Sequence, residues 1–290
     1  VFFGQFIDHD ITLDVTSSFS SVASPETTPN VRTPTLDLDC VYGLGPEAHP
    51  YLYHGNGQFA GVKLLTGADG TAAIVPDPDG TQLPQPPSLA AHDLSRTPHG
   101  TAIIGDPRND ENRVVSQLQL AMIRFHNHVV DTLYNDPHND MEGKELYERA
   151  RELVTWHYQW VVINDFLVNL CGGAVVSDIL GNGRRFYCIN GDEPFIPVEF
   201  SVAAYRFGHS MVPQKVQIQQ GQPEFELFGT VFGEGFSPLA DERAIVDWHE
   251  LLETSQDRHV QKAEKLDTQL ASDLLKLPFI PETGIQSLAS

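Results

Sequence analysis

Apolar side chains along this chain gather into a few periodic stretches, separated by polar stretches rich in Gly, Pro, Ser and Asp. In ENRVVSQLQLAMIRFHNHVVDTLY, Val114, Leu118, Met122, Val129 and Leu133 recur near helical spacing, which predicts a helix over 111–135. A second helix is predicted over 143–170, strongly apolar in its second half. Residues 1–10, with Phe2, Phe3, Phe6 and Ile7 apolar, read as the end of a buried helix. Residues 198–212 read as a short helix stopped by Pro213, and 238–253 and 257–277 as two surface helices. Ser, Thr, Pro and Asp in 17–38 favour turns, and 63–100 carries Gly, Pro and Asp with no sustained period. Residues 172–192 are Gly-rich and read as a loop. With no internal repeat and few strand alternations, the pattern predicts a mainly α fold: one domain of packed helices with long ordered loops and little β.

Length and composition agree with a sizeable core, at 290 residues and 41% hydrophobic. The 18 Lys and Arg against 39 Asp and Glu leave a net charge of −21. That argues against nucleic acid or an anionic membrane as partner, since both need a basic face, and leaves room for bound cations. No apolar run is long enough for a membrane span. Three cysteines (Cys40, Cys171, Cys188) allow one disulfide at most. Opening on Val1 and closing on IQSLAS, residues 1–290 read as one incomplete domain, truncated at both ends.

Four short segments carry candidate chemistry. In GQFIDHD at 4–10, Gln5 and His9 are i and i+4 and share a helix face, with Asp8 flanking it. Asp10 lies about 100° further round than His9 and should point elsewhere. Burying these polar groups among Phe2, Phe3, Phe6 and Ile7 demands partners. In TPTLDLDCVYG at 33–43, Thr33, Thr35, Asp37 and Asp39 alternate as hard oxygen donors of the kind calcium takes. GDPRNDEN at 105–112 offers Arg108 and Glu111 at i and i+3. AAYRFGHSMVP at 203–213 places Arg206 one turn before His209, with Gly208 leaving room for close approach. His126 and His128, about 200° apart on a helix, cannot chelate together and read as structural.

Taken in this order, the four segments resemble the animal-type haem peroxidases, the myeloperoxidase-like branch of the peroxidase–cyclooxygenase superfamily. The resemblance implies a single haem peroxidase domain that reduces hydrogen peroxide and oxidises a halide, thiocyanate or aromatic donor. It implies haem b, with His209 as proximal iron ligand and Arg206 on a propionate. His9 becomes the base for peroxide, Arg108 the stabiliser of the leaving oxygen, and Gln5 the holder of distal water or halide. Asp8 and Glu111 match the positions that form covalent haem esters in mammalian members. A Met after that Glu can add a third link; Asn112 stands here, so none is expected. Asp10, Thr33, Thr35, Asp37 and Asp39 match the family's calcium site. The resemblance also implies a secreted or extracellular protein, and the sparse cysteines and Pro/Asp-rich loops look like those of a microbial member.

Two other readings are weighed beside it. A fatty-acid dioxygenase of the same superfamily carries a Tyr three residues before the proximal His, where this chain has Arg206; Tyr205 is adjacent but about 100° away on a helix. A non-catalytic, calcium-binding extracellular adhesion module suits the acidic charge and would need no haem. The family's Asn partner for the proximal His has no match before Ser290 and is expected beyond this fragment.

Overall fold

The computed structural model describes residues 1–15, 24, 28–70, 72–76, 82–189, 193–253 and 260–279. Two long helices form its centre. α1 spans Phe2–Ile11, α2 is the short turn Asp39–Tyr42 and α3 is Pro87–Ala90; the first long helix, α4, runs Arg113–Tyr134 and the second, α5, Gly143–Val161. α4 packs against α5 on one side and against α1 on another. Asn112 starts α4 as its N-cap, its Oδ1 accepting from the Val115 N–H at 3.0 Å.

The buried face of α4 differs from the expected stripe. Val115, Leu120, Ile123 and Val130 enter the main core, Val114 enters a second core, and Leu118, Met122, Val129 and Leu133 are only partly buried. The helix is covered on more than one side, so Gln119 and His126 are also fully buried. α5 behaves as a one-sided amphipathic helix, burying Leu146, Tyr147, Ala150, Val154 and Tyr158 at i+3 and i+4 steps. Its outer face leaves Trp156 and Trp160 exposed. A π-helical turn at Val162–Phe166 leads into α6, Leu167–Cys171, so the helix expected over 143–170 forms with one distortion.

Three local expectations are corrected. The Gly-rich stretch after 172 is not all loop: α7 spans Gly173–Asn182, bounded by Gly172 and Gly183 at positive φ. The single helix expected over 198–212 is broken at Ala203 (φ −127, ψ −68) into α8, Val198–Val202, and a 3-10 segment, Ala204–Met211. Among the described residues, the two surface helices expected over 238–253 and 257–277 reduce to a 3-10 turn Glu242–Ala244, α9 Trp248–Leu251 and α10 Ser272–Leu275, with 257–259 lying outside the described residues. There the chain is held by packing rather than helical bonds. Val216, Ile218, Leu227, Phe232, Leu239 and Val246 wrap Val114 into the second core. Strand content among the described residues is two short antiparallel pairs, β1 Ile74–Pro76 with β2 Gln82–Pro84, and β3 Lys215–Val216 with β4 Phe225–Glu226. The three cysteines are unpaired.

Candidate active site

Phe3 and Phe6 on α1 pack edge-on against Tyr158 of α5, at centroid separations of 6.2 Å each. This contact turns the Gln5–His9 face toward a cavity of about 580 Å³. Its lining includes Gln5, Asp8 and His9 of α1, Arg108 and Glu111 of the 105–112 segment, and Arg206, Gly208 and His209 of the 203–213 segment. Phe166, Leu170, Val212, Leu227, Phe228 and Leu277 supply an apolar wall. The predicted residues of three distant segments therefore meet in one place.

His9 is 4% exposed. Burial, helped by the Arg108 charge, pushes its pKa down to about 4, so the imidazole is neutral at pH 7. Arg108 sits on a 3-10 turn, Pro107–Asp110, capped by Asp106, whose Oδ1 accepts from the Arg108 N–H at 2.9 Å. The Arg108 guanidinium donates to Asp106 and, through Nη2, to the carbonyls of His9 (3.1 Å) and Thr12 (2.6 Å). It thus closes the C-terminal end of α1, where a cation is favoured. Nη1 takes no part in these bonds. Arg32 reaches the same Asp106 carboxylate.

Gln5 is fixed at both ends of its amide. It accepts from Asn112 Nδ2 at 2.9 Å and donates to Glu111 Oε2 at 3.0 Å. Burial raises the Glu111 pKa, against the lowering pull of Arg108. Asp8 accepts from Thr12 Oγ1 at 2.9 Å and pairs with Arg206 Nη1 at 2.8 Å. That ion pair and the Tyr205 hydroxyl, which donates to the Gly4 carbonyl at 2.9 Å, tie the 3-10 segment to α1. Tyr205 was expected to face away, yet it lines the cavity, because residues 205–209 form the wall itself rather than presenting one face to it. Burial, then the Arg206 charge, lowers the His209 pKa and keeps its imidazole neutral. A Cβ on Gly208 would meet no atom within 4 Å, so the backbone beside His209 borders open space.

Asp10 points away from the cavity, as its angle on the helix predicts. It is 0% exposed, and neither carboxylate oxygen has a hydrogen-bond partner of normal geometry. Asp10, Asp37 and Asp39 bring carboxylate oxygens within 4.8 Å of one another. Burial, then the Asp39 and Asp37 charges, pushes the Asp10 pKa up to about 7. Thr33 and Thr35 are both exposed, and Thr33 Oγ1 donates to Asp37 Oδ1 at 2.8 Å. Arg32 lies 3.4 Å from Asp39 and offsets part of this charge.

His126 and His128 separate as expected. His126 is buried between the Tyr42 hydroxyl (3.1 Å) and the Val62 carbonyl (2.8 Å), and His128 is exposed. Sequence reasoning missed Asn109 and Gln119 behind His9, and Asp106 beneath Arg108. It also missed the buried Asp93–Arg96–Asp110 cluster, in which Arg96 grips Asp110 through two bonds of 2.6 and 2.7 Å. The polarity of GDPRNDEN could have hinted at Asp106, Asn109 and Asp110, but no signal marked Gln119, Asp93 or Arg96.

The profile of the animal haem peroxidase family matches residues 16–277. Dual oxidase of Drosophila melanogaster is 27% identical over 130 residues, covering 45% of this chain and 8% of that protein. Eosinophil peroxidase of Mus musculus is 33% identical over 131 residues, covering 45% of this chain and 17% of that protein. In fold, the chain resembles peroxidase A from Dictyostelium discoideum, with a TM-score of 0.55 and 16% identity over 99% of this chain and 60% of that one. The chain thus spans only a minor part of the curated relatives it matches.

Proposed function

The chain belongs to the animal haem peroxidase family, and from that premise we propose that it reduces hydrogen peroxide and oxidises a small donor, using haem b. The observation that carries this reading is the meeting of His9, Arg108 and His209, from three separate segments, around one cavity. The cavity fits a flat macrocycle. Its wall is apolar, its volume lies in the range of cofactor sites, and Gly208 leaves space beside a neutral histidine.

His209 would hold the iron, and Arg206 would leave Asp8 to meet a propionate. When bound, haem supplies a metal that takes the peroxide and accepts its two oxidising equivalents. His9 takes the proton from the near oxygen of peroxide and delivers it to the departing one, which leaves as water. Arg108, through Nη1, offsets the charge that grows on that departing oxygen. Gln5 retains a second amide hydrogen for a distal water or halide. Two electrons from the donor, a halide, thiocyanate or an aromatic, complete the turnover. Asp8 and Glu111 place carboxyls at the cavity wall, where ester links to haem would form.

Asp10, Asp37 and Asp39 would bind calcium, with the hydroxyls of Thr33 and Thr35 as further donors. An uncompensated buried carboxylate such as Asp10 is costly, and a divalent cation removes that cost. No described helix is long and apolar enough to cross a membrane. A secreted or extracellular setting, where calcium is plentiful, suits such a site.

The test is the absorption spectrum of the haem-supplemented chain, before and after stoichiometric peroxide. A Soret band that shifts with peroxide, and is absent in His209→Ala, supports the reading. Absence of any haem binding by the chain overturns it.

A further inference from the structure

Asn109 stands between Arg108 and Asp110, is 0% exposed, and places Oδ1 at 2.7 Å from His9 Nδ1. Its Nδ2 donates to Gln119 Oε1 at 2.8 Å. Gln119, also 0% exposed, donates from Nε2 to the Cys40 carbonyl at 3.4 Å. The direction of this chain follows from its far end. A backbone carbonyl can only accept, so the Gln119 amide must turn its nitrogen to Cys40 and its oxygen to Asn109. Asn109 must then turn its nitrogen to Gln119 and its oxygen to His9. An oxygen with no hydrogen can only accept, so His9 Nδ1 carries the proton.

The parts of this relay are held from outside. Asp110, beside Asn109, is gripped by Arg96. A Cβ on Gly105 would fall 2.6 Å from the Cys40 carbonyl, so the missing side chain lets the approach to the turn lie against the anchor.

We infer that Asn109, oriented by Gln119 and the Cys40 carbonyl, is a positioning residue that fixes the His9 proton on Nδ1 and leaves the Nε2 lone pair as the base. The use of Nε2 on peroxide rests on the proposed function; the tautomer does not. A neutral imidazole without such a partner would present an N–H to the cavity in a share of molecules, and that share could not take a proton.

The tautomer is read by two-dimensional proton–nitrogen NMR of the His9 ring in the 290-residue chain without haem. The chain as it stands should show a protonated Nδ1 and a bare Nε2. Asn109→Leu should move the proton to Nε2, and Gln119→Leu, which leaves the His9 contact in place, should give a mixture. With haem, Asn109→Leu should lower the rate constant for peroxide by about 100-fold or more, the scale of a lost general base, while the Soret band remains. A proton on Nε2 in the unsubstituted chain overturns the inference even if every variant fails to fold. So does an unchanged tautomer in a folded Asn109→Leu variant. A chain that binds no haem yet shows the Nδ1–H tautomer upholds the relay and removes the peroxidase reading instead.

Discussion

Burial holds the His9 pKa at about 4, with the Arg108 charge acting in the same direction. The base form is therefore complete at neutral pH and is lost as pH falls toward that value. The haem-loaded chain should react with peroxide at a constant rate from pH 7 down to about pH 5 and slow below it, followed by stopped-flow absorbance. His9→Ala should cost about 100- to 10,000-fold at pH 7. Gln5 and His9 drew notice in the sequence because their polar segment lies among Phe2, Phe3, Phe6 and Ile7, whereas Arg108 and His209 were singled out by the resemblance of their segments to the family. Asn109 was not legible. An Asn in a turn caps, bonds solvent or orients a neighbour, depending on what meets it, and His9 lies 100 positions away.

The Pro107–Asp110 turn is short, and its own bonds cannot keep Arg108 in place. Its rigidity comes from the Arg96 grip on Asp110 and Asp93 and from Asp106 at its start. Removing one partner of such a buried group leaves carboxylates without compensation. Arg96→Met should cost about 3–5 kcal/mol in urea unfolding. For α4, the sequence stripe and the observed core differ by a rotation, and mutation separates them. Leu120→Ala should cost about 2–5 kcal/mol, whereas Leu118→Ala, at a partly buried position, should cost clearly less by the same measurement. The helices α1, α4 and α5 were legible because long apolar periods survive any tertiary arrangement. The break at Ala203 and the short turns after 238 were not. Local propensity there is weak, and packing around Val114 decides the backbone.

Across the whole molecule, two buried neutral histidines make the fold acid-sensitive. His9 and His126 are each lowered by burial from 6.5 to about 4. The unfolded chain takes up these protons below about pH 6.5 and the folded chain does not. Stability therefore falls as pH drops from 6.5 to 4, by about 3 kcal/mol per histidine, measurable as urea midpoints across that range. Asp10 has the opposite sign. Burial and then Asp39 and Asp37 raise its pKa from 3.8 to about 7, so the cation-free fold carries a growing penalty as pH rises through that window. Calcium should consequently raise the melting temperature little near pH 5 and most above pH 7, and Asp10→Asn should remove the pH dependence of that gain. By itself, the sequence determined the mainly helical class and the acidic charge, because periodicity and composition are local properties, and it offered four candidate segments through their resemblance to the family. Only the tertiary structure decided that α4 is covered on more than one side, that Asp10 joins Asp37 and Asp39, and that a carbonyl at Cys40 sets the proton on His9. Each of these depends on which distant groups share a low-dielectric interior, where an unmet donor or charge is too costly to leave without a partner.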